Sequence, residues 1–179
     1  TMTETAPPCR WQIANTGKSS SGSISMYYGD LTSMTFACGH NAGTATSPEI
    51  TLMPGVAYSL TFDANVDVES NTVYDTLDLF VVVGGQEVLI WDKSEMITTD
   101  TWYSYSVDLS AMAGHTFHLR FSFNTHDETS NESTGIYIDD LEITSGCLPK
   151  PCVDDLGCDD GVSQTLESCS LDGCEYVVP

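Results

Sequence analysis

Basic residues are scarce in this chain of 179 residues. Arg10, Lys18, Lys93, Arg120 and Lys150 stand against 26 aspartates and glutamates, for a formal charge of −21. Phosphate backbones are held by clustered lysine and arginine, so nucleic acid and anionic membrane surfaces are excluded as partners. Long apolar runs are missing too: none approaches the roughly 20 residues with which a helix crosses a bilayer. The opening "TMTETAPP" carries no charged-then-apolar leader, so a secretion signal is expected to have been removed or to lie upstream.

Catalytic signatures are also lacking. His40, His115, His118 and His126 form no H-E-x-x-H pair, and no G-x-S-x-G elbow occurs. Glycoside hydrolysis needs only two carboxylates at a suitable separation, and 26 acidic residues supply such a pair by chance. "VVVGGQ" runs from one strand pattern into another, so it offers phosphate no helix N-terminus and reads as a hairpin turn. Enzymatic activity is not expected.

No segment sustains an apolar period of 3.6. Only "DLSAMAG", with Asp108 or Ser110 as cap, suggests a helical turn. What is present instead is alternation, supported by a 41% hydrophobic composition that can fill a core. In "TFHLRFSF", Phe117, Leu119, Phe121 and Phe123 alternate with Thr116, His118, Arg120 and Ser122. "TLDLFVVV" offers Leu77, Leu79, Val81 and Val83 to one face, and "SLTFDA" offers Leu60 and Phe62. Short alternating strands separated by "MPGV", "VGGQ" and "MAGH" predict an all-β, antiparallel sandwich of jelly-roll type.

Seven cysteines divide into Cys9 and Cys38 near the start and Cys147, Cys152, Cys158, Cys169 and Cys174 near the end. No C-x-x-C pair occurs and no histidine lies beyond His126, which disfavours zinc. Disulfides in an oxidising compartment are the expectation. Cys9 pairs with Cys38, or with Cys147 to clip the ends of the sandwich; the last four cysteines allow three pairings. The expected division is a linker over 1–10, a β-sandwich over 11–147 and a cysteine-rich acidic tail over 148–179. The tail's Asp154, Asp155, Asp159 and Asp160 lack the spacing of an EF-hand loop and read as a solvated acidic loop.

"GIYIDDLEI" departs from strand alternation. Ile136 and Ile138 share one parity, whereas Leu141 and Ile143 share the other, and the switch falls at Asp139 and Asp140. A β-bulge accounts for it. The two carboxylates there are expected to hold a hard cation, or to pair with Arg120.

In order along the chain, "SISMYYGD", "NAGTATSPEITL", "DVESNTVYDTLDLFVVVGG", "TTDTWYSYSVDLSAMAGHTFHLRFSFNTHDE" and "GIYIDDLEI" resemble the MAM-like, concanavalin-type jelly-roll modules of bacterial secreted or surface proteins. The tail resembles the "CDDG" repeats that follow such modules, though Ser163-Gln164 stands where those often carry another cysteine. The resemblance implies a structural Ca²⁺ held by Asp30, by Glu69 and Asp75 with Asp67 beside them, and by Asp139 and Asp140. It also implies a secreted or cell-surface module for adhesion or assembly, alone or in filaments with neighbouring copies. The alternative is a carbohydrate-binding module, an accessory to a secreted protease or glycosidase, with Trp102, Tyr103 and Tyr105 as the aromatic face that meets an extracellular glycan. Asn131 opens an N-glycosylation sequon, "NES".

Overall fold

The computed structural model describes residues 2–4, 8–95, 99–146, 166–170 and 173–177, with side chains described for 8–94 and 100–146. Two antiparallel sheets are built from the strand patterns. In the first, β1 (Met2–Glu4), β4 (Ala42–Thr46), β10 (Thr116–Asn124), β7 (Thr76–Val83) and β8 (Gln86–Asp92) lie in that order, and β5 (Ile50–Thr51) also pairs with β10. The second has the order β2 (Arg10–Ala14), β3 (Ser25–Gly29), β11 (Gly135–Gly146), β6 (Ala57–Asp67) and β9 (Thr99–Asp108). From β6 onward the chain crosses repeatedly between the sheets, which makes the sandwich a jelly roll.

The alternation dictates the core. Phe117, Leu119, Phe121 and Phe123 of β10 are buried against Leu77, Leu79 and Val81 of β7 on one side of the interior. Leu60, Phe62, Ala64 and Val66 of β6, with Ile136 and Ile138 of β11, meet them from the other sheet. Edge-to-face contacts of Phe62 with Trp91 and with Phe121 lock the two layers together. The β7–β8 hairpin turns on Gly84 and Gly85, both at positive φ, and Val83 pairs with Gln86. Two consecutive positive φ values match the right-handed strand twist, and glycine reaches them without steric cost.

A disulfide joins Cys9 to Cys38, so that of the two pairings left open the local one is formed. The predicted single turn appears as a 3-10 segment at Ser110–Met112, with Asp108 accepting a hydrogen bond from the Ser110 N–H at 2.8 Å. Strands begin earlier than the expected linker bounds of 1–10 suggest. Met2–Glu4, read as linker, form β1 on the edge of β4, and Arg10 already belongs to β2. The tail contains a hairpin, β12 (Leu166–Ser170) with β13 (Gly173–Val177), whose register sets Cys169 opposite Cys174. Cys147, Cys152 and Cys158, and the acidic stretch at Asp154–Asp160, lie outside the described residues.

Candidate ligand face and carboxylate clusters

The parity switch in β11 is a bulge. Asp139 pairs with Asp63 and Glu142 with Thr61, so three steps on β11 match two on β6. Asp140 takes up the extra residue at φ 47°. Before the bulge Ile136 and Ile138 point inward; after it Ile143 packs on the core, while Leu141 is left exposed. The partners of the two carboxylates differ from both expectations. Asp139 accepts hydrogen bonds from the backbone N–H groups of Ser20 at 2.8 Å and Ser21 at 3.3 Å, and Asp140 accepts one from the Ser21 hydroxyl. Ser20 Oγ also reaches Asp63. Arg120 lies on the first sheet and pairs with Glu87 of β8. The bulge therefore fastens the β2–β3 loop across the second sheet.

Asp30, Glu69 and Asp75 lie at the other end of that sheet. Tyr28 pairs with Ile136 and Asp67 with Gly135, so Asp30 and the loop after β6 sit about five residues up the strands from Asp139. At about 3.3 Å per residue that is roughly 17 Å, too far for one cation with ligands at about 2.4 Å. Among the described residues no three acidic, histidine or cysteine side chains converge on a metal position. The five carboxylates of the expected Ca²⁺ set do not fit one ion. Asp30 instead accepts hydrogen bonds from the Thr32 N–H at 2.9 Å and Ser33 Oγ at 3.2 Å, and the bond from Thr32 leads in holding its carboxyl below the usual range.

Asp75 is fully buried at φ 50° and accepts a hydrogen bond from the Glu69 N–H at 3.0 Å. Its other oxygen and Glu69 Oε2 have no hydrogen-bond partner among the described residues. Burial pushes the Asp75 carboxyl up to about 6. The nearby cation is Lys93, itself only 5% exposed, whose ammonium donates to the carbonyls of Glu69 at 2.7 Å and Tyr74 at 2.8 Å. Burial lowers the Lys93 pKa while Asp75 and Glu69 oppose that shift. An ammonium on a long stem thus binds the loop carbonyls that a hard metal ion would otherwise take.

The aromatic residues of β9 separate by parity. Tyr105 pairs with Phe62 and packs in the core against Phe62 and Trp91, so it belongs to no exposed platform. Tyr103 shares that parity opposite Ala64. Trp102 points outward and is partly exposed, with its ring edge-on to Tyr137 at 6.4 Å. Register continues the row: Gln12, Tyr27, Tyr137, Asn65 and Trp102 lie side by side across the outer face of the second sheet. Tyr27 stacks on Tyr137 with centroids 4.5 Å apart, and burial raises both phenols. Gly29 is required beside them, because a Cβ there would collide with the Tyr27 phenol.

Charged and amide groups border this row. Lys18, from the loop pinned by the bulge, lies 4.4 Å above the Tyr137 ring, pairs with Asp100 and donates to Thr134 Oγ1 at 3.0 Å. The hydrogen bond from Lys18 leads in lowering the Asp100 carboxyl. Asn65 is buried and donates to Asp100 at 3.1 Å, while its carbonyl oxygen has no partner among the described residues. Of these residues only Trp102 was singled out by the sequence. Asn65, Asp100 and Tyr137 come from three strands brought together by sheet register, and Lys18 from the β2–β3 loop held at the bulge. The sequon at Asn131 is occupied otherwise: the side chain is 3% exposed and its amide donates to the Gly39 and Asp127 carbonyls, each at 3.2 Å.

No protein-family model matches the chain, and no curated protein matches it in sequence. Solved structures do share its fold. The structure of TmCBM61 in complex with beta-1,4-galactotriose aligns with a TM-score of 0.55 at 12% identity, covering 81% of this chain and 88% of that one. A structure of carbohydrate-binding modules from the beta-sandwich superfamily aligns at 0.51 and 14% identity, over 80% of this chain and 56% of that one. The enzymatically active domain of tailspike protein 4 from bacteriophage CBA120 aligns at 0.50 and 16% identity; the match spans 82% of this chain but only 19% of the tailspike. At these identities the likeness is one of fold, an antiparallel β-sandwich.

Proposed function

We propose that the protein is a non-catalytic carbohydrate-binding module that takes neutral glycans on the outer face of the second sheet. The observation that carries this reading is Trp102. It is a partly exposed indole on an edge strand, and its N–H has no partner among the described residues. Asn65, Asp100 and Lys18 stand beside it within one hydrogen-bonded group. A sugar stacks its C–H face on an aromatic ring and spends its hydroxyls on nearby amide and charged groups, and an edge strand leaves room for a chain of sugars to pass. The fold is also that of carbohydrate-binding modules, one of which was solved with beta-1,4-galactotriose. The charge of −21 disfavours acidic glycans, because each added carboxylate meets a repulsive field.

Adhesion would then follow from glycan binding at a surface, in an oxidising extracellular setting that preserves the Cys9–Cys38 bond. The test is retention on immobilised neutral polysaccharides, β-1,4-galactan among them, followed by titration with oligosaccharides under tryptophan fluorescence. Trp102→Ala is expected to weaken binding at least tenfold, the equivalent of about 1.4 kcal/mol. Unaltered binding by that variant, or no retention on any neutral glycan, would sink the proposal.

A further inference from the structure

The bulge has a second consequence, on the inner side of the sheet. A half-open cavity of about 310 Å³ lies between the two sheets where β11 breaks register. Its walls are mostly apolar: Met26, Ala45, Leu119, Phe121 and Ile138 line it with Thr46 and Ser47 beside them, and Leu141 stands at the lip. Ala45, Leu119, Phe121 and Ile138 are all buried core residues, so the cavity reaches into the packed interior. Its mouth carries Asp139 and Asp140, and among the described residues no basic side chain lines it.

This arrangement is a product of the extra residue. Unbroken alternation would carry the inward row of Ile136 and Ile138 on to the next position but one, which is Asp140. The bulge instead turns Asp140 to the surface at φ 47°, a rare conformation for a residue with a Cβ, and leaves Leu141 exposed. The core is thus left uncapped at that point, with carboxylates around the opening. Asp139 is engaged by the Ser20 and Ser21 N–H groups, and Asp140 Oδ1 by the Ser21 hydroxyl. Asp140 Oδ2 has no partner among the described residues, so one anionic oxygen at the mouth is available. Ser47 does not compete for it, since its hydroxyl donates to the Pro48 carbonyl at 2.7 Å and accepts from the Leu119 N–H at 2.9 Å.

We propose that this cavity is a binding site for a small amphipathic cation: an apolar body of phenyl or short alkyl size among Leu119, Phe121 and Ile138, and an ammonium group at Asp140. The volume lies at the lower end of the range for small-molecule sites, which are apolar with a few placed polar groups. The charge of the mouth selects the head group. A neutral sugar is a poor occupant, since its hydroxyls would be buried against aliphatic walls without partners. The site is separate from Trp102, which lies on the opposite face of the second sheet, so either can fail without the other.

Methyl NMR on the full chain tests it, with 2-phenylethylamine as probe and 3-phenylpropionate as a probe of like body and opposite charge. The amine is expected to give saturable shifts in the methyls of Met26, Leu119, Ile138 and Leu141, and the carboxylate to bind at least tenfold more weakly. Asp140→Asn, an exposed and conservative change, is expected to cost the amine about five- to tenfold in affinity. Ala45→Phe, which fills the cavity, should abolish the shifts while dispersion elsewhere in the spectrum reports an intact fold. Absence of saturable shifts with the amine, equal affinity for the two probes, or an Asp140→Asn variant that binds the amine unchanged would each overturn the proposal.

Discussion

Asp75 is the residue whose chemistry departs furthest from what its surroundings in sequence suggest. In "VYDTL" it reads as one acidic loop residue among several, yet it is wholly buried and its carboxyl titrates at about 6 against 3.8 for an ordinary aspartate. A raised carboxyl pKa means that the folded state binds more protons than the unfolded state between those two values. Stability therefore falls as pH rises through that window, with the penalty fully present above about 6 and absent below about 3.8. Two units correspond to about 3 kcal/mol. Asp78, also raised by burial with Asp92 opposite it, adds to the same slope. Asp30, Asp100 and Asp108, whose carboxyls are lowered, act in the opposite sense and only below the ordinary value. Urea unfolding at a series of pH values is expected to give a falling midpoint between about pH 4 and pH 6, and Asp75→Asn should remove most of that fall. Lys93 explains why the site tolerates the charge at neutral pH, since its ammonium lies close enough to oppose the shift.

At the scale of the element, β11 and the β2–β3 loop behave as one unit. The bulge turns two adjacent carboxylates to the surface, and their hydrogen bonds to Ser20 and Ser21 carry Lys18 over Tyr137. Deleting Asp140 would return Leu141 and Ile143 to the parity of Ile136 and Ile138. The expected outcome is a folded protein in which the loop is released, read as faster hydrogen exchange at Ser20 and Ser21 than in the parent chain. The disulfide acts on a different element, the 29-residue segment that carries β2, β3 and the turn to β4. Closing a loop of that length stabilises by about 3–4 kcal/mol through the unfolded chain. Replacing both Cys9 and Cys38 by serine should lower the stability measured in urea by that order, plus whatever native packing the buried Cys9 loses.

For the whole molecule, the sign and size of the charge shape what can approach it. With 26 acidic residues against 5 basic ones, the surface field repels anions at low ionic strength, and three of the basic side chains are held by protein groups. Arg120 pairs with Glu87, Lys18 with Asp100, and Lys93 is buried on carbonyl groups. A neutral glycan at Trp102 and a cation at the bulge are both consistent with that field, whereas a polyanion is not. The two sites lie on opposite sides of one sheet, so the same bulge that opens the cavity also holds the loop bordering the glycan face.

Much of this was legible along the chain. The alternation of "TFHLRFSF" named four core residues, "VVVGGQ" named a hairpin turn, and the parity break in "GIYIDDLEI" named a bulge. Each is a local consequence of the two-residue repeat of a strand or of the steric freedom of glycine, and local rules need no knowledge of partners. The face taken by "TWYSYSV" was not legible, because both of its parities carry aromatic rings; Phe62 and Trp91, distant in sequence, drew Tyr105 inward and left Trp102 outside. Nor could spacing reveal that Asp30 and Asp139 stand at opposite ends of one sheet, or that Lys93 is buried. Those facts depend on register between strands separated by scores of residues. The sequence by itself determined the strands, the turns, the bulge and the acidic surface, since these follow from periodicity and composition. Only the tertiary structure decided which carboxylates meet serines and which face a lysine, because side chains acquire partners when the sheets close on each other.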